Sequence, residues 1–311
     1  MKSFASDNYS GVAPEILEAI FAANHEHQPA YGNDIYTKEA QELLQLTFGN
    51  DIQSWFTYNG TGANCAALKA VLKSHHALIC SDIAHIATQE VGALSSITGC
   101  SILSIPHKNG KITAEDIKQK YEDASYWRHH GNHPKVVSIA QPTEFGTVYT
   151  IEELKSIATV CKNLGLIFHM DGCRLANAAV YLDCSLEEIT RGVDILSFGG
   201  TKNGLMFGEV IVFLNPELAD EFSYIHKQSL QLSSKMRFIS AQFIPYLKNN
   251  LWHKYALHAN QMCQKFAKKI TKLDKVQLEY PVETNQIFVC LPQNIIHATQ
   301  DIYPFYIWEK S

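Results

Sequence analysis

Between Ser54 and Leu214, short apolar runs of strand length alternate with stretches of helical period, and no other feature limits the possible folds as much. The runs are SWFTYNG, ALICSD, SILSIP, KVVSIAQP, LIFHMD, DILSFGG and EVIVFL. Most are apolar on both faces, and patterns such as AEDIKQKYEDA and IEELKSIATVCKNL stand between them. Strands buried on both sides and separated by helices specify an α/β fold, with a mostly parallel central sheet covered by helices. Upstream, Pro14 opens a helix over 13–24, and a second helix runs from Tyr36 to about Thr47 and is closed by Gly49. After Pro216 the chain turns helical through Pro245, which predicts two helices meeting near that proline. VQLEY and QIFVCLP then read as strands, and NIIHATQDI as the start of a helix. The chain therefore divides into residues 1–245, an N-terminal arm with a large domain, and residues 246–311, a smaller α/β domain.

Charge and composition narrow the partners. A net charge of −5 without a long basic run gives no support for nucleic acid or an anionic membrane, so a small-molecule ligand is expected. The opening MKSFASDNYSG has no apolar signal region, and no apolar stretch reaches bilayer length, which points to the cytoplasm. Eight cysteines without a C-x-x-C pair read as reduced core thiols. The histidine cluster in WRHHGNHPK has no carboxylate or cysteine at ligand spacing, so no metal site is expected.

Five signals fall at the ends of predicted strands, where open α/β sheets place their ligands. Asp171 closes LIFHMD, and a carboxylate buried there needs a cation, such as a protonated pyridine nitrogen. A helix cap or an ion pair with Arg174 is the ordinary alternative. Lys202 follows Gly199, Gly200 and Thr201, where glycines admit a ligand and shielding from water lowers an amine pKa enough for attack on an aldehyde. A surface lysine in a turn would look the same. The turn at Gly60, Thr61 and Gly62 opens a helix whose free N–H groups suit a phosphate, although it matches neither nucleotide motif. His85 follows another strand end, where an imidazole can stack on a pyridine ring or act as a base. Arg174 carries a fork for a carboxylate, either that of an amino acid or that of Asp171. Together these are the parts of a pyridoxal 5'-phosphate (PLP) site.

The stretches FASDNYSG, HQPAYGND, FTYNGTGAN, CSDIAHIATQEVGA, QPTEFGTVY, HMDGCRLANA, DILSFGGTKNG and SSKMRF resemble, in that order, the low-specificity L-threonine aldolases. Those are fold type I PLP enzymes of the aspartate aminotransferase superfamily. The resemblance implies a PLP-dependent lyase that cleaves L-threonine or L-allo-threonine to glycine and acetaldehyde, serving threonine breakdown and glycine formation. It implies that Lys202 holds the cofactor as a Schiff base, that Asp171 pairs with the ring nitrogen, and that His85 stacks on the ring and shuttles protons. Gly60 and Thr61 would bind the phosphate, Ser6 and Arg174 the substrate carboxylate, and Tyr31 would line the site. Arg237, with Lys227 or Lys235, would reach the phosphate in a neighbouring subunit of a homotetramer or dimer.

The resemblance also implies a longer small domain that returns an arginine to the substrate. The closing YPFYIWEKS contains none, so the C-terminus is expected to be truncated. Two alternatives follow: another fold type I PLP lyase or a hydroxymethyltransferase-like activity, and an inactive remnant that binds cofactor.

Overall fold

Seven strands form one sheet in the spatial order β1-β7-β6-β5-β4-β2-β3. They are β1 (Gln53–Thr57), β2 (His76–Ser81), β3 (Ser101–Ile105), β4 (His133–Ala140), β5 (Ile167–Gly172), β6 (Ile195–Gly199) and β7 (Glu209–Phe213). Each coincides with one of the seven apolar runs. The computed structural model describes residues 3–308; Glu309, Lys310 and Ser311 of the closing stretch lie outside the described residues.

From β3 through β2, β4 and β5 to β6 all neighbours are parallel, whereas β7 is antiparallel to both β6 and β1. The sheet is thus mixed, and β1 runs in the direction of β6. Alternate strand residues enter two separate apolar clusters. Val137, Phe168, Leu196, Phe198, Val210 and Val212 belong to one, and Val136, Ile167, Ile195, Ile211 and Phe213 to the other. With side chains alternating across the pleat, this division places helical layers on both faces. β2, β6 and β7 are buried along their whole length, as their two-sided apolar character requires.

Local signals set the helix starts. Pro14 occupies the first turn of the helix Pro14–Ala23, where a missing N–H costs nothing. The second helix begins one residue before the expected Tyr36, at Ile35, because the Asp34 side chain accepts from the Thr37 N–H at 2.8 Å. Thr113 and Thr150 form reciprocal capping boxes with Asp116 and Glu153 at the heads of Ala114–Tyr126 and Ile151–Leu164.

The last part of the chain differs from expectation. Two helices do meet near Pro245, Arg237–Lys248 and Leu251–Ile270, but the break comes at Asn249 and Asn250 and Pro245 itself lies inside the first of them. A proline so close to a helix end removes a hydrogen bond from the final turns only, so the helix continues to its terminus. VQLEY and QIFVCLP contract to Gln277–Leu278 and Val289–Cys290, paired antiparallel. Their side chains are largely exposed, and no third strand joins them among the described residues. All eight cysteines are free thiols, but only Cys65, Cys80, Cys100 and Cys161 are buried. Cys173 lies in the site described below. Of the histidine cluster, His129 and His130 sit in an exposed 3-10 turn, and His133 opens β4. No helix among the described residues is long and apolar enough to cross a membrane.

Candidate active site

Parallel β5 and β6 place Asp171 opposite Ser197, and Lys202 stands in the 3-10 turn Thr201–Asn203 just beyond β6. Asp171 is half-buried at the end of β5. Its Oδ2 accepts from Asn64 Nδ2 at 2.9 Å and its Oδ1 from the Cys173 N–H at 3.1 Å. Burial pushes the carboxyl up, but the Asn64 hydrogen bond and the Lys202 charge outweigh it and hold the group below its ordinary value. None of the ion pairs among the described residues includes Asp171. The alternative of an Asp171–Arg174 pair is therefore overturned.

The partner of Arg174 is instead Asp7, in the 3-10 turn Asp7–Tyr9 of the N-terminal arm. Nε donates to Oδ2 at 2.6 Å and Nη2 to Oδ1 at 3.0 Å. Burial pushes the Asp7 carboxyl up, but the charge and hydrogen bonds of Arg174 outweigh it and lower the group. Ser6 does not meet Arg174; its Oγ caps this turn by accepting from the Asn8 N–H at 3.2 Å.

Lys202 Nζ lies 3.6 Å from Cys173 Sγ. Shielding from water leads the sequence reading to a lowered amine pKa, and the structure reverses that sign. The Cys173 sulfur, when ionised, is the largest influence and raises it; burial and Arg174 oppose, and Asp171 and Asp7 add to the rise. The anions gathered around the lysine outweigh desolvation, so the ammonium is favoured. Beneath the turn, Glu209 at the start of β7 accepts from the Gly200 N–H at 2.8 Å, and burial pushes its carboxyl up to about 7. Gly199 has no alternative residue here, because a Cβ would overlap the backbone of Cys173.

His85 begins the short helix His85–Thr88. Its backbone N–H donates to Glu144 Oε1 at 2.8 Å, and its Nδ1 lies 2.9 Å from Glu90 Oε1. The Glu90 hydrogen bond is the largest influence on the imidazole and raises its pKa; burial opposes it and Asp171 adds to it. Burial pushes Glu144 up to about 7. At the end of β1 the helix Gly60–Lys69 begins, its third N–H, from Gly62, taken by the Asn59 side chain at 2.8 Å. The N–H groups of Gly60 and Thr61 have no partner among the described hydrogen bonds. The Gln231 side chain packs over this turn and accepts from the Tyr58 N–H at 3.0 Å.

A second group stands apart from these residues within the chain. Lys227 lies over the Tyr31 ring at 4.6 Å, the Tyr31 N–H donates to Ser234 O, and Arg237 donates to Glu26 O at 3.0 Å. Lys235 is exposed. Between the two candidate lysines, Lys227 is the one that meets Tyr31.

The beta-eliminating lyase family model matches residues 3–293. The chain belongs to the beta-eliminating lyase family. It is 41% identical over 306 residues to a low specificity L-threonine aldolase of a Pseudomonas species, covering 96% of this chain and 87% of that protein. The Pseudomonas aeruginosa protein of the same description is 43% identical, covering 96% and 86%. A Leishmania major threonine aldolase structure superposes with a TM-score of 0.96 at 30% identity, covering 100% of this chain and 91% of that one. A putative L-allo-threonine aldolase of Listeria monocytogenes shares the fold at a TM-score of 0.75 and 20% identity. The architecture is accordingly the fold type I fold of this lyase family.

The chain's own groups fit PLP. Asp171 offers a ring N–H a half-buried carboxylate with no ion-pair partner among the described residues, Lys202 offers an amine to an aldehyde, and the Gly60 and Thr61 N–H groups offer two donors to a phosphate. Sequence reasoning missed Asp7, Asn64, Glu90, Cys173 and Glu209. Asn64 had one visible signal, as a polar residue inside the apolar run GANCAALK.

Proposed function

We propose that this lyase binds PLP and cleaves L-threonine and L-allo-threonine to glycine and acetaldehyde. The single observation that carries this reading is a half-buried Asp171, outside every ion pair among the described residues, with Lys202 beyond the adjacent strand end. Similarity to proteins of that described activity supports it. PLP, when bound, supplies the electron sink for the pair released as the Cα–Cβ bond breaks. Lys202 anchors the cofactor, Asp171 keeps a proton on the ring nitrogen, and the Arg174 fork holds the substrate carboxylate once Asp7 yields it. His85 takes the β-hydroxyl proton through Nε2, which has no hydrogen-bond partner among the described residues, its Nδ1 being the atom that meets Glu90.

The exposed group of Tyr31, Lys227 and Arg237 supports a homotetramer or dimer in which these side chains serve a neighbouring copy's phosphate. We place the protein in the cytoplasm, with small β-hydroxy amino acids as substrates. The division into a large and a small domain at 245/246 stays part of this reading, with the helix break at Asn249 and Asn250 close to that boundary.

The deciding experiment is a visible spectrum of the purified protein with PLP, before and after threonine, with product analysis. A band of covalently held PLP and formation of glycine are expected. No such band removes the cofactor assignment; an oxo acid with ammonia instead of glycine shows β-elimination; a bound cofactor without turnover shows an inactive remnant.

A further inference from the structure

Between His85 and Asp171 lies a polar bridge that the proposed chemistry does not yet use. Glu90 Oε1 is shared: it sits 2.9 Å from His85 Nδ1 and accepts from Asn64 Nδ2 at 3.1 Å. The second hydrogen of the same Asn64 amide goes to Asp171 Oδ2 at 2.9 Å. Only 1% of the Glu90 side chain is exposed, against 37% for His85, and its Oε2 is buried without a partner. An enclosed carboxylate held at this position by an amide is an arrangement for orienting an imidazole, because it binds one ring nitrogen and presents the other.

We propose that Glu90 is a positioning residue for the reaction: it fixes the His85 ring with the proton on Nδ1, leaving Nε2 as the proton acceptor, while Asn64 fixes Glu90 relative to Asp171. This rests on His85 being the base at the PLP site. A neutral imidazole has two tautomers, and only one has a bare Nε2. The Glu90 acceptor selects that tautomer before substrate arrives, and it stabilises the imidazolium after the hydroxyl proton has moved to Nε2. The charges around His85 come from four elements. Glu90 stands on its own segment, Glu144 on the loop after β4, Asp171 on β5 and Lys202 after β6, and Lys202 alone opposes protonation. The bridge also links the imidazole to the carboxylate assigned to the ring nitrogen, through one amide whose two hydrogens are both used.

The test uses full-length PLP-loaded protein with 13C-labelled histidine, His85 being identified by the signal lost in His85→Asn. Glu90→Gln keeps the side-chain shape and an acceptor for Asn64. It is expected to lower the His85 pKa by about one unit or more, and to move the acid limb of the kcat profile down by the same amount. Asn64→Ala, which loosens Glu90 and also removes a donor from Asp171, is expected to give a smaller shift in the same direction; its His85 titration decides the question if Glu90→Gln does not fold. Folded variants whose His85 titration and acid limb stay in place overturn the proposal, since a merely structural Glu90 would change stability alone. Absence of glycine formation by the wild type sinks the functional reading instead, and leaves the NMR shift to report on the bridge.

Discussion

Arg174 and Asp7, 167 positions apart in sequence, form a two-pronged ion pair with Nε–Oδ2 at 2.6 Å and Nη2–Oδ1 at 3.0 Å. The pair is mostly enclosed, with 18% and 15% of the two side chains exposed. Asp7 thus occupies, from within the chain, the fork that an amino acid carboxylate would use.

Replacing Asp7 with Asn therefore has two effects of opposite sign. Removing one partner of an enclosed pair costs about 3 kcal/mol, seen as a lower urea midpoint. Freeing the fork strengthens carboxylate binding, so the Kd for glycine, read from the visible spectrum, is expected to fall several-fold. A weaker affinity for glycine in Asp7→Asn would show that Asp7 helps to bind substrate.

Lys202→Ala removes the amine assigned to form the Schiff base. Equilibrium dialysis is expected to show PLP still retained through Asp171 and the Gly60–Thr61 turn. The band of covalently held cofactor and the release of acetaldehyde are both expected to disappear. Acetaldehyde production at the wild-type rate would remove the assignment.

Glu209 gives the cofactor-free protein a pH dependence. Its carboxyl is raised from 4.5 to about 7 by burial, so the folded state binds a proton that the unfolded state has already lost between those values. Stability from this group is present below about 4.5 and is lost as pH rises to 7. Glu209→Gln keeps an acceptor for the Gly200 N–H without the ionisation. It is expected to equal the wild type near pH 4.5 and to exceed it by about 3 kcal/mol above pH 7, measured by urea unfolding at both. Equal stability at both pH values would refute the shift.

Gly199→Ala is expected to lower stability and abolish PLP binding together. The added Cβ meets the backbone of Cys173, which no rotamer change can relieve. Displacing that backbone moves the strand ends that carry Asp171 and Lys202. A spectrum unchanged from the wild type would show that β5 and β6 can separate without cost.

The strands were legible because burial on two faces leaves an uninterrupted apolar run, and Asp171, His85 and Lys202 were legible because each follows such a run. Strand direction was not: EVIVF reads the same whichever way it lies, so the antiparallel β7 is known only from its partners. The Asp7–Arg174 pair was hidden by sequence distance, while Arg174 stands only three residues from Asp171 and invites the wrong pairing. Glu90 was hidden by its type, since a glutamate after a short helix is ordinarily a solvated charge. The sign of the Lys202 shift depends on charges from two distant segments, residues 171–174 and Asp7, which no local pattern around Lys202 contains.

The reversed course of β7 has a consequence for how the protein is made. β1 lies at the sheet edge and pairs with β7 alone, from Gln53 against Phe213 to Thr57 against Glu209. A ribosome must therefore synthesise more than half of the polypeptide after β1 before that strand has anything to pair with. The nascent chain carries an unpaired edge for that interval, and the Gly60–Thr61 turn behind it acquires its shape late. Slowing translation upstream of residue 213 should then lengthen exposure of Trp55 and Phe56 to chaperones, whereas slowing it afterwards should not.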